Sequence, residues 1–143
     1  MLRKALLAAA GLALALPALA GQATKEVPIT DKGGLIDVGL SVDNINLRQV
    51  DLSFKGKLGG PLQKSKGEAK CFMDNNGEKD TEVGIAIVLM DEAGNVVGAT
   101  SAGTKVGPLK KGQRDTSTVD FGYVYRNQDK ARRMIVTLET APR

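Results

Sequence analysis

From Ile36 to Val42, and again from Val83 to Met90, the chain changes side-chain character with a period of two, which restricts these segments to strands. Ile36, Val38, Leu40 and Val42 alternate with Asp37, Gly39, Ser41 and Asp43. A strand turns successive side chains to opposite faces, so this segment predicts a half-buried strand. In the second segment Val83, Ile85, Ile87 and Leu89 alternate with Gly84, Ala86, Val88 and Met90. Apolar character on both faces predicts a strand buried in the middle of a sheet. Between Ile45 and Phe54 the apolar parity slips, from Ile45 and Leu47 to Val50, Leu52 and Phe54. One extra residue in a strand causes such a slip, so a bulge is expected near Arg48-Gln49.

Further strands are expected over Glu68 to Met73, Val96 to Thr100, Thr104 to Val106 and Met134 to Glu139. Ser117 to Arg126 also alternates, with Val119, Phe121, Tyr123 and Tyr125 on one face and Thr118, Asp120, Gly122 and Val124 on the other. Beyond residue 20 no segment carries a helix-length amphipathic repeat. Seven or eight short strands without helices make an all-β, antiparallel two-sheet sandwich the expected architecture.

The connections follow from turn chemistry. Asn75-Asn76-Gly77 predicts a hairpin into Thr81–Met90, because Asn and Gly tolerate positive φ. Asp91-Glu92-Ala93-Gly94-Asn95 predicts a type I turn with Gly94 left-handed and Asp91 accepting from turn amides. Asp43-Asn44 reads as a turn, Pro108 to Gln113 as a connection crossing between sheets, and Asn127 to Arg132 as a polar turn with one helical turn. Residues 55–67 hold four glycines and one proline among lysines, which predicts a long mobile loop or a weak edge hairpin. Lys55, Lys57, Lys64, Lys66 and Lys70 would keep such an edge from pairing, or would touch anionic lipid headgroups or envelope polymers.

At the N-terminus, Arg3 and Lys4 precede the apolar run Ala5 to Leu16, then Pro17 and Ala18-Leu19-Ala20. That is the tripartite pattern of a secretory signal peptide over residues 1–20, cleaved after Ala20. The run is shorter than the roughly 20 residues a membrane-spanning helix needs. No transmembrane segment is expected, and the protein would be periplasmic or secreted. Gln22 stands where a lipoprotein signal would place its Cys, which excludes a lipid anchor there. Loss of Arg3 and Lys4 takes the formal net charge from +4 to +2, so the basic balance offers little to nucleic acid, and none is expected as a partner. Gly21 to Gly34 is polar and contains Pro28, predicting an extended lead-in, with the sandwich domain over residues 35–143.

Ile87-Val88-Leu89-Met90-Asp91, then Gly94-Asn95-Val96-Val97-Gly98, then Pro108-Leu109-Lys110-Lys111-Gly112 resemble the FxLYD-type family of exported immunoglobulin-like domains. The resemblance covers about residues 81–138. Ile87 replaces the motif's Phe and Met90 its Tyr. It implies an immunoglobulin-like topology and an exported role, with no catalytic residue to carry over.

The chain has no histidine, which removes the usual general base, His-containing triads and His-based zinc or copper sites. Cys71 is the only cysteine, so no intramolecular disulfide can form. Its parity with Ala69 and Met73 predicts a buried structural thiol. Asp74, Asn76, Glu78 and Asp80 alternate oxygen ligands through a turn as a calcium loop does, though Lys79 stands where such a loop needs Gly. Calcium is therefore the one cofactor considered. Phe121, Tyr123 and Tyr125 are expected in the core, the alternative being a ligand-facing aromatic strip. The expected function is non-enzymatic: an exported module of a bacterial-type cell envelope that binds an envelope or secreted protein or a polymer. Its alternatives are a calcium-binding sandwich using residues 74–80, and a structural subunit polymerising by strand exchange, for which the polar Gly21–Gly34 makes a poor donor strand.

Overall fold

A computed structural model describes residues 21–30, 33–55, 66–103, 107–122 and 127–143. The expected signal segment 1–20, the lysine-rich residues 56–65, the expected short strand at Thr104–Val106, and Tyr123 and Tyr125 lie outside the described residues. The chain forms β1 (Gly21–Pro28), β2 (Gly34–Val42), β3 (Ile45–Lys55), β4 (Lys66–Asn75), β5 (Thr81–Met90), β6 (Val96–Gly103), β7 (Arg114–Asp120) and β8 (Arg133–Pro142), with one 3₁₀ turn at Gln128–Lys130. Two antiparallel four-stranded sheets result, in the orders β1-β8-β5-β6 and β2-β3-β4-β7.

The sandwich fills as the alternation predicts. Val83, Ile85, Ile87 and Leu89 of β5 and Met134, Val136 and Leu138 of β8 are buried, as are Ile45, Leu47, Val50 and Leu52 of β3. The parity slip in β3 has the expected cause: Leu47 pairs with Met73 and Gln49 with Phe72, so Arg48 is the extra residue of a bulge. Asp43 and Asn44 both hold positive φ, the geometry of a two-residue turn between the paired Val42 and Ile45. At the β5–β6 turn Gly94 has φ +88°, and the Asp91 carboxylate accepts from the Asn95 N–H at 2.8 Å.

Four expectations are corrected. Gly21–Pro28 is a strand rather than a lead-in: β1 pairs with β8 along its whole length, and Val27 is buried, so the sheet takes in residues before 35. Asn75-Asn76-Gly77 is no hairpin, because β4 pairs with β3 and β7 while β5 pairs with β6 and β8. The segment carries the chain from one sheet to the other. Neither Asn76 nor Gly77 adopts positive φ; the turn is held instead by the buried Asn75 side chain. Its Nδ2 donates to the carbonyls of Lys79 at 2.8 Å and Leu109 at 2.9 Å, and its Oδ1 accepts from the Gly77 N–H at 2.9 Å. The expected strand over Ser117–Arg126 starts earlier, as β7 at Arg114, and β7 ends at Asp120 with Phe121 buried beyond it; residues 123–126 lie outside the described residues. Finally, β5 is central in its sheet but buried on one face only: Gly84, Ala86, Val88 and Met90 are half-buried.

Pro108–Gln113 does cross between sheets, from β6 to β7. Thr81 and Leu109 exchange backbone hydrogen bonds at 3.0 and 2.8 Å and anchor that crossing beside the Asn75 amide.

Candidate interaction surface

The outer face of the sheet β1-β8-β5-β6 is built by register. Four rows run across it in the order β1, β8, β5, β6: Gln22, Glu139, Gly84, Gly103; then Thr24, Thr137, Ala86, Ser101; then Glu26, Ile135, Val88, Ala99; then Pro28, Arg133, Met90, Val96. The last two rows bring Ile135, Val88, Ala99, Met90 and Val96 side by side, and Val96 keeps 51% of its surface exposed. The polar members of this face pair with each other: Arg133 with Glu26 at 3.3 Å, and the Thr24 and Thr137 hydroxyls at 2.8 Å. At the opposite end Gly84 and Gly103 contribute no side chains and floor a shallow depression of about 550 Å³. Glu82, Glu139 and Arg143 border it, with Glu82 and Arg143 in contact. An adjoining depression of about 430 Å³ runs on over Ala86, Ser101 and Thr137.

The outer face of the second sheet is more highly charged. There Asp37, Gln49, Phe72 and Thr116 form one row, and Leu35, Asp51, Lys70 and Thr118 the next, with Leu35 60% exposed. Gln49 donates to Asp37 at 2.8 Å. Asp74, 8% exposed, is flanked by the Arg48 Nε at 2.6 Å and the Arg114 Nε at 3.4 Å.

The four residues expected at a calcium loop go separate ways. Asp74 lies on this charged face among arginines. Asp80 accepts from the Lys111 N–H at 3.1 Å and the Lys110 Nζ at 3.2 Å, and these bonds hold its carboxyl below the usual carboxylate range. Asn76 and Glu78 are exposed, and the Asn76 N–H donates to the Asn44 carbonyl. Among the described residues no three His, Cys, Asp or Glu side chains come together as a metal site. The structure therefore does not assemble the set that spacing suggested, because the strand parity of Asp74 and the basic Lys110-Lys111 pair claim its two aspartates.

Cys71 is buried as expected, between Val50 on β3 and Ser117 on β7. Burial pushes its thiol up to about 12, which keeps it protonated and unreactive. Phe121 is in the core, where its ring and Leu89 approach so near Gly98 that a Cβ there would lie 3.2 and 3.1 Å from them. Asp91 is held low by the Asn95 side chain and backbone N–H, a turn role rather than a ligand's.

No protein-family model matches the chain, and no curated protein is recognisably similar to it. Among the described residues no helix is long and apolar enough to cross a membrane. Sequence reasoning missed the apolar outer face although the signal was present: both faces of β5 read as apolar, and one was assigned to burial within the domain.

Proposed function

We propose that this protein is an exported, non-enzymatic interaction module of a bacterial-type cell envelope, cleaved after Ala20, whose contact surface is the outer face of the sheet β1-β8-β5-β6. The observation that carries the reading is the row Ile135, Val88, Ala99 with Met90 and Val96 beside it, an apolar patch on an otherwise solvent-facing sheet. Contiguous exposed apolar surface is the usual mark of a protein contact site. The absence of histidine from the sequence speaks for a non-enzymatic role. The immunoglobulin-like topology implied by the FxLYD-type resemblance belongs to the same reading. The partner is a second exported protein or an envelope polymer.

A benzophenone side chain placed at Val88 in the full chain, produced in cells that export it, tests this. The expected result is an adduct of defined mass that weakens with Ile135→Glu and does not form from Thr116, on the other outer face. No adduct, or equal adducts from both positions, overturns the reading. Mass determination of the exported chain tests the processing: it should begin at Gly21.

A further inference from the structure

We infer that the edge of β6 is a self-pairing edge, on which a second copy of this chain adds its own β6 antiparallel about a two-fold axis. The inference rests on the reading of this sheet as the contact surface, and names the occupant of its open edge. Four strands end the two sheets: β1, β6, β2 and β7. Exposed edges template pairing with other chains, and proteins blunt them with charges, prolines and bulges. β1 carries Lys25, Glu26 and Pro28. β2 carries Asp37 and a register shift between Asp37 and Leu40, and Lys25 Nζ donates to its Val38 carbonyl at 2.6 Å. β7 carries Arg114, Asp115 and Asp120. β6 reads Val-Val-Gly-Ala-Thr-Ser-Ala-Gly, with no charge and no proline, and its register shift is confined to its start beside Met90.

The missing charge is what points to a second copy. Two-fold antiparallel pairing sets a strand against itself, so a charge near its middle meets its own twin, and like charges placed opposite each other are destabilising. β1 and β2 carry Lys25, Glu26 and Asp37 near their middles and β7 carries Arg114, Asp115 and Asp120 toward its ends, whereas β6 alone is uncharged along its whole length. It also carries nothing by which to select a foreign strand of particular charge. The small residues from Gly98 to Gly103 let another backbone approach, and the Thr100 hydroxyl, donating to the Asp120 carbonyl at 2.9 Å, pins the edge in place beforehand. Pairing would join two copies of β1-β8-β5-β6 into one eight-stranded sheet and run the two Ala99-Val88-Ile135 rows together on one face.

Sedimentation velocity on the full chain, purified as the exporting cells process it, tests this from low micromolar to several hundred micromolar concentrations. The wild type should form a dimer. Ser101→Lys, at an exposed position on the pairing edge, should weaken it by roughly tenfold or more, about 1.4 kcal/mol, and Thr116→Lys should leave it unchanged. Melting temperatures are read alongside, with Ala99→Lys standing in if the first variant does not fold. A monomer at every concentration, a dimer indifferent to both β6 lysines, or one dissolved equally by Thr116→Lys overturns the inference. A monomer that still yields the Val88 adduct removes the second copy and leaves the contact surface standing. A dimer without an adduct to any other molecule keeps the self-pairing edge and removes the second exported partner.

Discussion

Asn75→Ala tests the account of how the two sheets are connected. The side chain is 1% exposed and makes three hydrogen bonds, to the Lys79 and Leu109 carbonyls and from the Gly77 N–H. Each such bond contributes about 1 kcal/mol net. Two of the groups left behind keep another partner: the Leu109 carbonyl still accepts from the Thr81 N–H, and the Lys79 carbonyl from the Thr81 hydroxyl. The Gly77 N–H loses its side-chain acceptor. The expected loss is therefore about 2–3 kcal/mol, short of the value for three orphaned groups. For a domain of this size that is a fall in melting temperature of about 10 °C. Thermal and urea unfolding followed by circular dichroism would measure it. Asn75→Asp keeps the acceptor for Gly77 but loses both donors and buries a charge, so it should cost at least as much. Asn76→Ala, on an exposed neighbour bonded through its backbone, should stay within about 0.5 kcal/mol of the wild type. If Asn75→Ala were equally harmless, or Asn76→Ala equally costly, the buried amide would not be what fixes the crossover.

Cys71 makes stability fall at high pH. Its thiol is held up to about 12 when folded and ionises near 9 when free, so between those values the unfolded chain gives up a proton that the folded one keeps. Compared with Cys71→Ala, the wild type should lose about 1.4 kcal/mol more per pH unit across that window, as read from urea midpoints; parallel curves would refute it. Ser117→Ala removes a buried hydroxyl that lacks a hydrogen-bond partner among the described residues, and should leave stability unchanged or raise it by up to about 1 kcal/mol in the same assay. Calcium at millimolar concentration should not shift the melting temperature, since Asp74 and Asp80 already have cationic partners; a rise abolished by Asp80→Ala would contradict that assignment.

Strands were legible here because one face of each must be apolar, and period two reports that face locally. The bulge at Arg48 was legible for the same reason: an inserted residue moves every later apolar side chain by one place. Which strands pair was not legible where a polar side chain decides it. Asn75-Asn76-Gly77 carries the composition of a hairpin, yet the Asn75 amide finds its partners on Lys79 and on Leu109, far along the chain. Nothing local distinguishes a turn that returns into its own sheet from one that leaves it. β1 was missed because an edge strand buries little: Val27 alone is buried in Gly21–Pro28, and its pairing energy lies in backbone bonds to β8 that no composition reveals. The four calcium-loop oxygens are not brought together because β4 ends at Asn75, leaving Asp74 on the strand with Arg48 and Arg114 while Asp80 lies beyond the turn on Lys110 and Lys111.

Strand parity separates the two outer faces. On β3 and β4 the outward residues Gln49, Asp51, Lys70 and Asp74 are polar or charged, with Phe72 among them and Leu35 exposed on the neighbouring β2. On β5 the outward residues are Gly84, Ala86, Val88 and Met90, with no charge between Glu82 and Asp91. Folding stability does not require this, because the core face Val83, Ile85, Ile87 and Leu89 is filled from the other sheet whatever stands opposite. Polar residues at Val88 or Ala99 would leave that packing untouched and lower the risk of aggregation. The uncharged run that joins β5 to β6, from Gly84 to Met90 and from Val96 to Gly103, is what the proposed contact surface on this face accounts for.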